Sequence, residues 1–187
     1  MGMPATHGAI TTIEELLALP EDGMRHELLD GVHVVTPAPQ YLHQKAVLEL
    51  ELALAAALRD RTDAEVLGSP ADIVLGPRTL VQPDVFVIRR SPEKPICNWA
   101  DVGVPLLAIE VLSPGTAARD RGVKRRIYQN AGVGEYWIVD LDARIVERWT
   151  PAEERPEVVD GTLRWSLAGG ASGEIELPAF FRRVHGD

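Results

Sequence analysis

The chain predicts an α/β or α+β sandwich built around a mixed sheet. Helical and strand-like stretches follow one another without the regular alternation of a doubly wound sheet, and no glycine-rich phosphate loop opens a helix. Gly132-Val-Gly134 comes after a helical stretch rather than before one, so it is a poor dinucleotide fingerprint. At 187 residues the length suits one domain spanning 1–187, since compact domains run to roughly 100–200 residues.

Thr11 or Thr12 can cap a short first helix reaching Leu19, with Glu14 and Glu15 near its positive end and Pro20 discouraging continuation. Residues 25–29 and 32–36 read as a β-hairpin, because Asp30-Gly31 tolerates the positive φ of a tight turn. Residues 41–59 are helical: Val47, Leu50, Leu54 and Leu58 form one stripe, Leu48 and Leu52 widen it, and burial over much of the helix surface is expected. Strand-like runs follow at 65–68, 72–75, 85–88 and 106–112, with turns at Gly76-Pro77 and 91–95.

Residues 117–131 read as a second long helix whose apolar stripe is Val123, Ile127 and Ala131, stopped by Gly132 and Gly134. Two more strands, 135–139 and 144–149, are joined through Asp140-Leu141-Asp142. Tyr136 and Trp137 therefore read as sheet residues rather than base-stacking platforms. Residues 151–187 read as short strands and loops ending in Pro178-Ala-Phe-Phe181, and no internal repeat or low-complexity tract is present.

Apolar residues make up 45% and charged residues 25%, which excludes a disordered or fibrous chain. No apolar run is long enough to span a bilayer, and Met1 to Ile10 lack the features of a signal peptide, so a cytoplasmic protein without membrane association is expected. Cys97 is the only cysteine; that rules out an intramolecular disulfide and a thiolate zinc site, and Cys97 itself is expected to be buried and inert. The 28 acids against 19 bases give a net charge of −9, which opposes broad binding to nucleic acid and confines any such contact to a local patch. The candidate patch is Arg119, Arg121, Lys124, Arg125 and Arg126, whose plain reading is a solvated helix face.

The chemically informative anomaly is Glu110, the single charge in the apolar run Leu106-Leu-Ala-Ile-Glu-Val-Leu112. A strand of that kind is buried on both faces, so its carboxylate needs a salt bridge, a raised pKa or a metal ion. Asp84 stands at the mouth of the neighbouring apolar run 85–88. Two such carboxylates are hard ligands suited to Mg²⁺ or Mn²⁺ and to phosphodiester hydrolysis. The plain alternative is a pair of buried acids satisfied by arginine or backbone amides. Lys124 lies fourteen residues past Glu110 on the helix expected to pack back onto the sheet, with Tyr128 four residues on. It can place an ammonium near the acids, although alone it is one more surface lysine.

Five stretches carry a family likeness: Arg25-His-Glu-Leu-Leu-Asp-Gly31; Pro83-Asp84; Pro105-Leu-Leu-Ala-Ile-Glu-Val-Leu-Ser-Pro114; Asp120 with Lys124 and Tyr128; and Gly132-Val-Gly-Glu-Tyr-Trp-Ile-Val-Asp140. In this order and spacing the chain resembles, over nearly its whole length, the Uma2 family of restriction endonucleases, a DUF820-type branch of the PD-(D/E)XK nuclease superfamily. The resemblance implies a restriction-endonuclease-like core, a four-stranded mixed sheet flanked by helices, with an N-terminal helix and hairpin. It implies Asp84 and Glu110 as Mg²⁺ or Mn²⁺ ligands, the Val111 carbonyl as a third, and Glu27 as an additional acid whose plain reading is a hairpin-surface glutamate. The superfamily's Glu-X-Lys ending would put lysine at position 112, where this chain has Leu112; the resemblance implies that Lys124 replaces it from the helix. His43 resembles a recurrent family histidine, for which capping the long helix is favoured over holding a phosphate.

Glu27, Asp84, Glu110 and Lys124 are accordingly expected to meet in one cleft. The function expected there is metal-dependent endonuclease action on DNA, with RNA as another substrate and a non-catalytic interaction module as the rival. A homodimer would pair two such sites on a two-stranded substrate.

Overall fold

A computed structural model describes residues 10–187. Most of the stretch expected to lack a signal peptide lies outside the described residues. Helix α1 (Ile13–Leu17) is shorter than expected; the Thr12 side chain accepts from the Glu15 N–H, and the Glu15 carboxylate accepts from the Thr12 N–H in return. Strands β1 (Arg25–Leu29) and β2 (Val32–Thr36) form the hairpin, with Asp30 at φ 52° and Gly31 at φ 84°. Together with β4 (Ile73–Gly76) and β5 (Thr79–Val81) they make a four-stranded sheet in the order β2-β1-β5-β4. No separate sequence signal marks β5, which is three residues long.

The second sheet has six strands, in the spatial order Glu157–Val159, Ile145–Trp149, Glu135–Asp140, Leu107–Val111, Val85–Arg89 and Ala64–Gly68. Its central members are β6 (Val85–Arg89), β7 (Leu107–Val111), β8 (Glu135–Asp140) and β9 (Ile145–Trp149). The expectation of four strands falls short because β3 (Ala64–Gly68) pairs along all of β6, and β10 (Glu157–Val159) pairs with β9. Only β7 and β8 run parallel, joined by the helical segment between them, so the sheet is mixed. A separate hairpin, β11 (Thr162–Ser166) and β12 (Ser172–Glu176), completes the β structure among the described residues.

Helix α2 (Tyr41–Leu58) crosses the six-stranded sheet on a single stripe, Ala46, Leu50, Leu54 and Leu58. The wider burial expected of it does not occur. Leu48 and Leu52 are 53% and 57% exposed, because only one face of the helix meets the core. Between β7 and β8 the chain runs through α3 (Ala117–Arg119), a π-turn over Asp120–Lys124, and α4 (Arg125–Asn130). The buried face of this segment is Asp120, Lys124, Ile127 and Tyr128, whereas Val123 is exposed, so the expected stripe of Val123, Ile127 and Ala131 is out of phase.

The C-terminal stretch also departs from expectation. Leu177–His185 form α5, with Pro178 in its first turn, where a missing N–H costs nothing, and Gly186 at φ 80° closing it. Leu177, Phe180, Phe181 and Val184 share its buried face and join the core under α2. Cys97 is exposed rather than buried. No helix among the described residues is long and apolar enough to cross a membrane.

Candidate active site

Strand register creates the site. Val85 pairs with Ile109 across β6 and β7, and extending that antiparallel register by one residue sets Asp84 opposite Glu110. The Asp84 N–H donates to the Ile109 carbonyl at 3.0 Å, and the Val111 N–H donates to Asp84 Oδ2 at 2.8 Å. Asp84 and Glu110 are thus fixed to adjacent backbones, 2% and 3% exposed. From the other sheet, β1 alternation aims Arg25 and Glu27 at the same place. Glu27 is buried, with its Oε1 accepting the Gln82 N–H at 2.8 Å, so it is not a hairpin-surface glutamate.

Lys124 arrives from the π-turn. Its Nζ lies 2.7 Å from Glu110 Oε1 and 2.8 Å from Glu27 Oε1, tying β7 of one sheet to β1 of the other. The Tyr128 hydroxyl, one turn on, donates to the same Glu110 oxygen at 2.8 Å. Asp84 has its own cationic partner: Arg25 Nη1 is 2.6 Å from Oδ1, and Arg25 also donates to the Gln82 carbonyl. His43 Nε2 sits 3.1 Å from Asp84 Oδ2. His43 therefore orients an acid rather than capping α2, whose N-cap is Gln40.

These groups line a cleft of about 650 Å³ between the hairpin and the helical segment, into which Glu27, Asp84, Glu110, Val111 and Lys124 all open. Asp120 is also in its wall, buried, with its main-chain carbonyl accepting from the Tyr136 hydroxyl at 3.2 Å. At the buried centre of the cleft four carboxyl groups, Glu27, Asp84, Glu110 and Asp120, thus meet two cationic side chains, Arg25 and Lys124, so acids outnumber bases there before His43 is counted. The electrostatics follow from that imbalance. Burial, opposed by Lys124 but reinforced by Asp84, Asp120 and Glu27, pushes the Glu110 carboxyl up to about 8. Burial also raises Asp120. Burial works against Asp84 too, yet the His43 hydrogen bond, the Arg25 charge and the Val111 N–H hold it at about 2. Glu27 stays below its ordinary value because Lys124 and the Gln82 N–H outweigh its burial. Burial opposes the Lys124 charge, but Glu110, Glu27 and Asp120 keep its pKa above the usual lysine range.

The basic stretch is largely committed elsewhere. Lys124 is internal, and Arg121 pairs with Glu147 at 2.6 Å and Asp140 at 2.8 Å. Arg119 donates to Thr36 Oγ1 at 3.1 Å, and Arg125 stacks over Trp149. A continuous cationic face is therefore not presented. Arg25 escaped sequence reasoning, although its spacing of two from Glu27 on a strand placed both on one face.

Among the described residues, no three His, Cys, Asp or Glu side chains converge as a ready-made metal group. A site of two carboxylates and a main-chain carbonyl does not need three. The hard carboxyl oxygens gathered in the cleft fit a divalent cation of the Mg²⁺ class.

No curated protein matches the chain. Among solved structures it is similar to the crystal structure of a "putative nuclease belonging to DUF820" from Anabaena variabilis ATCC 29413, with TM-score 0.78 and 22% identity, over 92% of this chain and 98% of that one. The two share a fold. The family model of Uma2, described as "Putative restriction endonuclease", matches residues 13–179. With that match running through both sheets and every residue of the cleft, the chain belongs to the Uma2 family.

Proposed function

We propose that the cleft hydrolyses phosphodiester bonds, with DNA as the substrate. The observation that carries this reading is Lys124, a buried ammonium held between Glu110 and Glu27 beside Asp84. Asp84 and Glu110, with the Val111 carbonyl, would hold Mg²⁺ or Mn²⁺. Such an ion supplies Lewis-acid activation of the attacking water and of the phosphoryl oxygens.

The remaining roles belong to the chain's own side chains. Lys124 offers a fixed positive charge to the negative charge that builds on the pentacovalent phosphorus, already oriented and shielded from water. Glu27 holds Lys124 from the hairpin side, so the ammonium keeps its position when Glu110 is engaged with a cation. Arg25 and His43 keep the Asp84 carboxylate ionised and aimed, and the Tyr128 hydroxyl aims the Glu110 carboxyl. A two-fold homodimer would present two such clefts to a duplex; light scattering that returns only monomer at high concentration removes that part.

A second reading, a non-catalytic interaction module, draws on Asp84, whose two oxygens are both already engaged by protein donors. Incubation of the purified chain with DNA and with RNA under Mg²⁺ or Mn²⁺ separates the two. Cleavage should require the ion and vanish in Glu110→Gln, which keeps shape and loses charge. Lys124→Ala should cut turnover by roughly 10²–10³ while leaving ion affinity similar or slightly higher. Cleavage by Glu110→Gln under chelator would assign the activity elsewhere. Ion binding without cleavage of either nucleic acid would favour the interaction module.

A further inference from the structure

Behind the cleft, on the opposite face of β1, two imidazoles meet. Arg25 and Glu27 face the cleft, so His26 between them faces away. Across the hairpin His26 pairs with Val35 and Leu28 with His33, which puts His33 diagonally next to His26 on that same face. His26 Nδ1 and His33 Nε2 are 2.9 Å apart, with the ring planes within 14° of each other. The other nitrogen of His26, Nε2, lies 3.0 Å from Asp22 Oδ1. A carboxylate only accepts, so His26 Nε2 carries a hydrogen, and Nδ1 is the nitrogen turned toward His33.

We infer that His26 and His33 form a binding site for a late divalent transition-metal ion such as Zn²⁺ or Ni²⁺, with Asp22 fixing the tautomer of His26. Imidazole nitrogen suits Zn²⁺ and Ni²⁺ and is a poor ligand for Mg²⁺, so this site and the carboxylate cleft select different ions. Two nitrogens each about 2.0–2.1 Å from a tetrahedral ion stand about 3.3 Å apart, so the pair needs to open by about 0.4 Å and the two rings to turn until both lone pairs meet the ion. That movement is available: β2 is an edge strand, and the His26 side chain is 19% exposed. His33 has only to move its hydrogen to Nδ1 to ligate, and its partial burial favours the neutral ring that does so. Asp22 supplies the carboxylate behind a ligating imidazole that orients metal-bound histidines generally. Water completes the coordination, so the ion exchanges with solvent. Once bound, it ties β1 to β2 directly behind the strand that carries Arg25 and Glu27 into the cleft.

The test uses the full chain stripped with chelator and titrated with Zn²⁺ alone, then Ni²⁺ alone, by calorimetry. The Glu110→Gln background separates any ion taken up by the cleft. One equivalent should bind in both backgrounds, His26→Gln and His33→Gln should each abolish that binding, and Asp22→Asn should weaken it by roughly 10–100-fold. Imidazole ¹⁵N spectra of the native chain give the same answer without a variant: His26 Nδ1 and His33 Nε2 should shift on Zn²⁺ addition while the His43 signals stay in place. Undiminished binding in His33→Gln, or unmoved His26 and His33 signals at saturating Zn²⁺, overturns the site.

Discussion

Replacing Lys124 with methionine keeps the buried stem and removes the ammonium. In the native chain that ammonium lies 2.7 Å and 2.8 Å from two carboxylates, and lysine and both acids are almost fully buried. The substitution leaves Glu27 and Glu110 facing each other without a cation. Breaking a buried pair by removing one partner costs about 3–5 kcal/mol. For a chain of this size each kcal/mol moves the midpoint by about 2–4 °C, so Lys124→Met should melt about 6–20 °C below the native chain. The loss should be largest near about pH 9 and smaller near about pH 5, because protonation of Glu110 removes the repulsion. Thermal unfolding followed by circular dichroism at the two pH values measures both quantities. Adding Glu110→Gln should recover at least about 1 kcal/mol, since contacting groups couple. A loss under about 1 kcal/mol at the higher pH, or an equal loss at both, would refute the ion-pair bridge as what joins the sheets.

The cleft acids also set opposite pH dependences. Asp84 sits at about 2, below its ordinary 3.8, so its contribution is complete above 3.8 and fades as pH falls toward 2. Glu110 sits at about 8, above its ordinary 4.5, so its contribution is complete below 4.5 and fades as pH rises toward 8. Urea unfolding should therefore show native stability declining across that upper window, with a flatter decline in Glu110→Gln; parallel curves would contradict the raised carboxyl. Gly134→Ala tests the start of the parallel pairing. Its added Cβ would sit 2.8 Å from the Leu106 carbonyl oxygen, and a loss of about 1–3 kcal/mol in urea is expected, whereas no change would mean that β8 shifts freely.

Local chemistry was legible in the sequence where it was self-contained. The Asp30-Gly31 hairpin needs nothing beyond two residues able to adopt positive φ, and Glu110 announces itself as the lone charge of an apolar strand. The phase of the helical segment after β7 was not legible in the same way. Its apolar residues suggest Val123 as the inward face, but Lys124 turns inward because acids from distant strands satisfy its ammonium, and Asp120 turns inward toward that buried charge. Nothing within the segment encodes those partners; its spacing from Glu110 and the family likeness pointed to Lys124, but neither carried the phase of the segment around it. Helix α5 is a different case, since Leu177, Phe180, Phe181 and Val184 recur at helical spacing just after a proline start, a readable pattern in a stretch that otherwise alternates. The outer strand β3 was legible as the run 65–68, whereas β10, three residues long, is defined by its pairing with β9, which no local pattern specifies.

If Asp84 and Glu110 hold a divalent ion in the cleft beside Lys124, as proposed, Mn²⁺ titrated calorimetrically into the native chain should saturate one site, and that site should be lost in Asp84→Ala and in Glu110→Gln, each of them still folded. Asp84→Ala that takes up Mn²⁺ as the native chain does would overturn the proposed metal site.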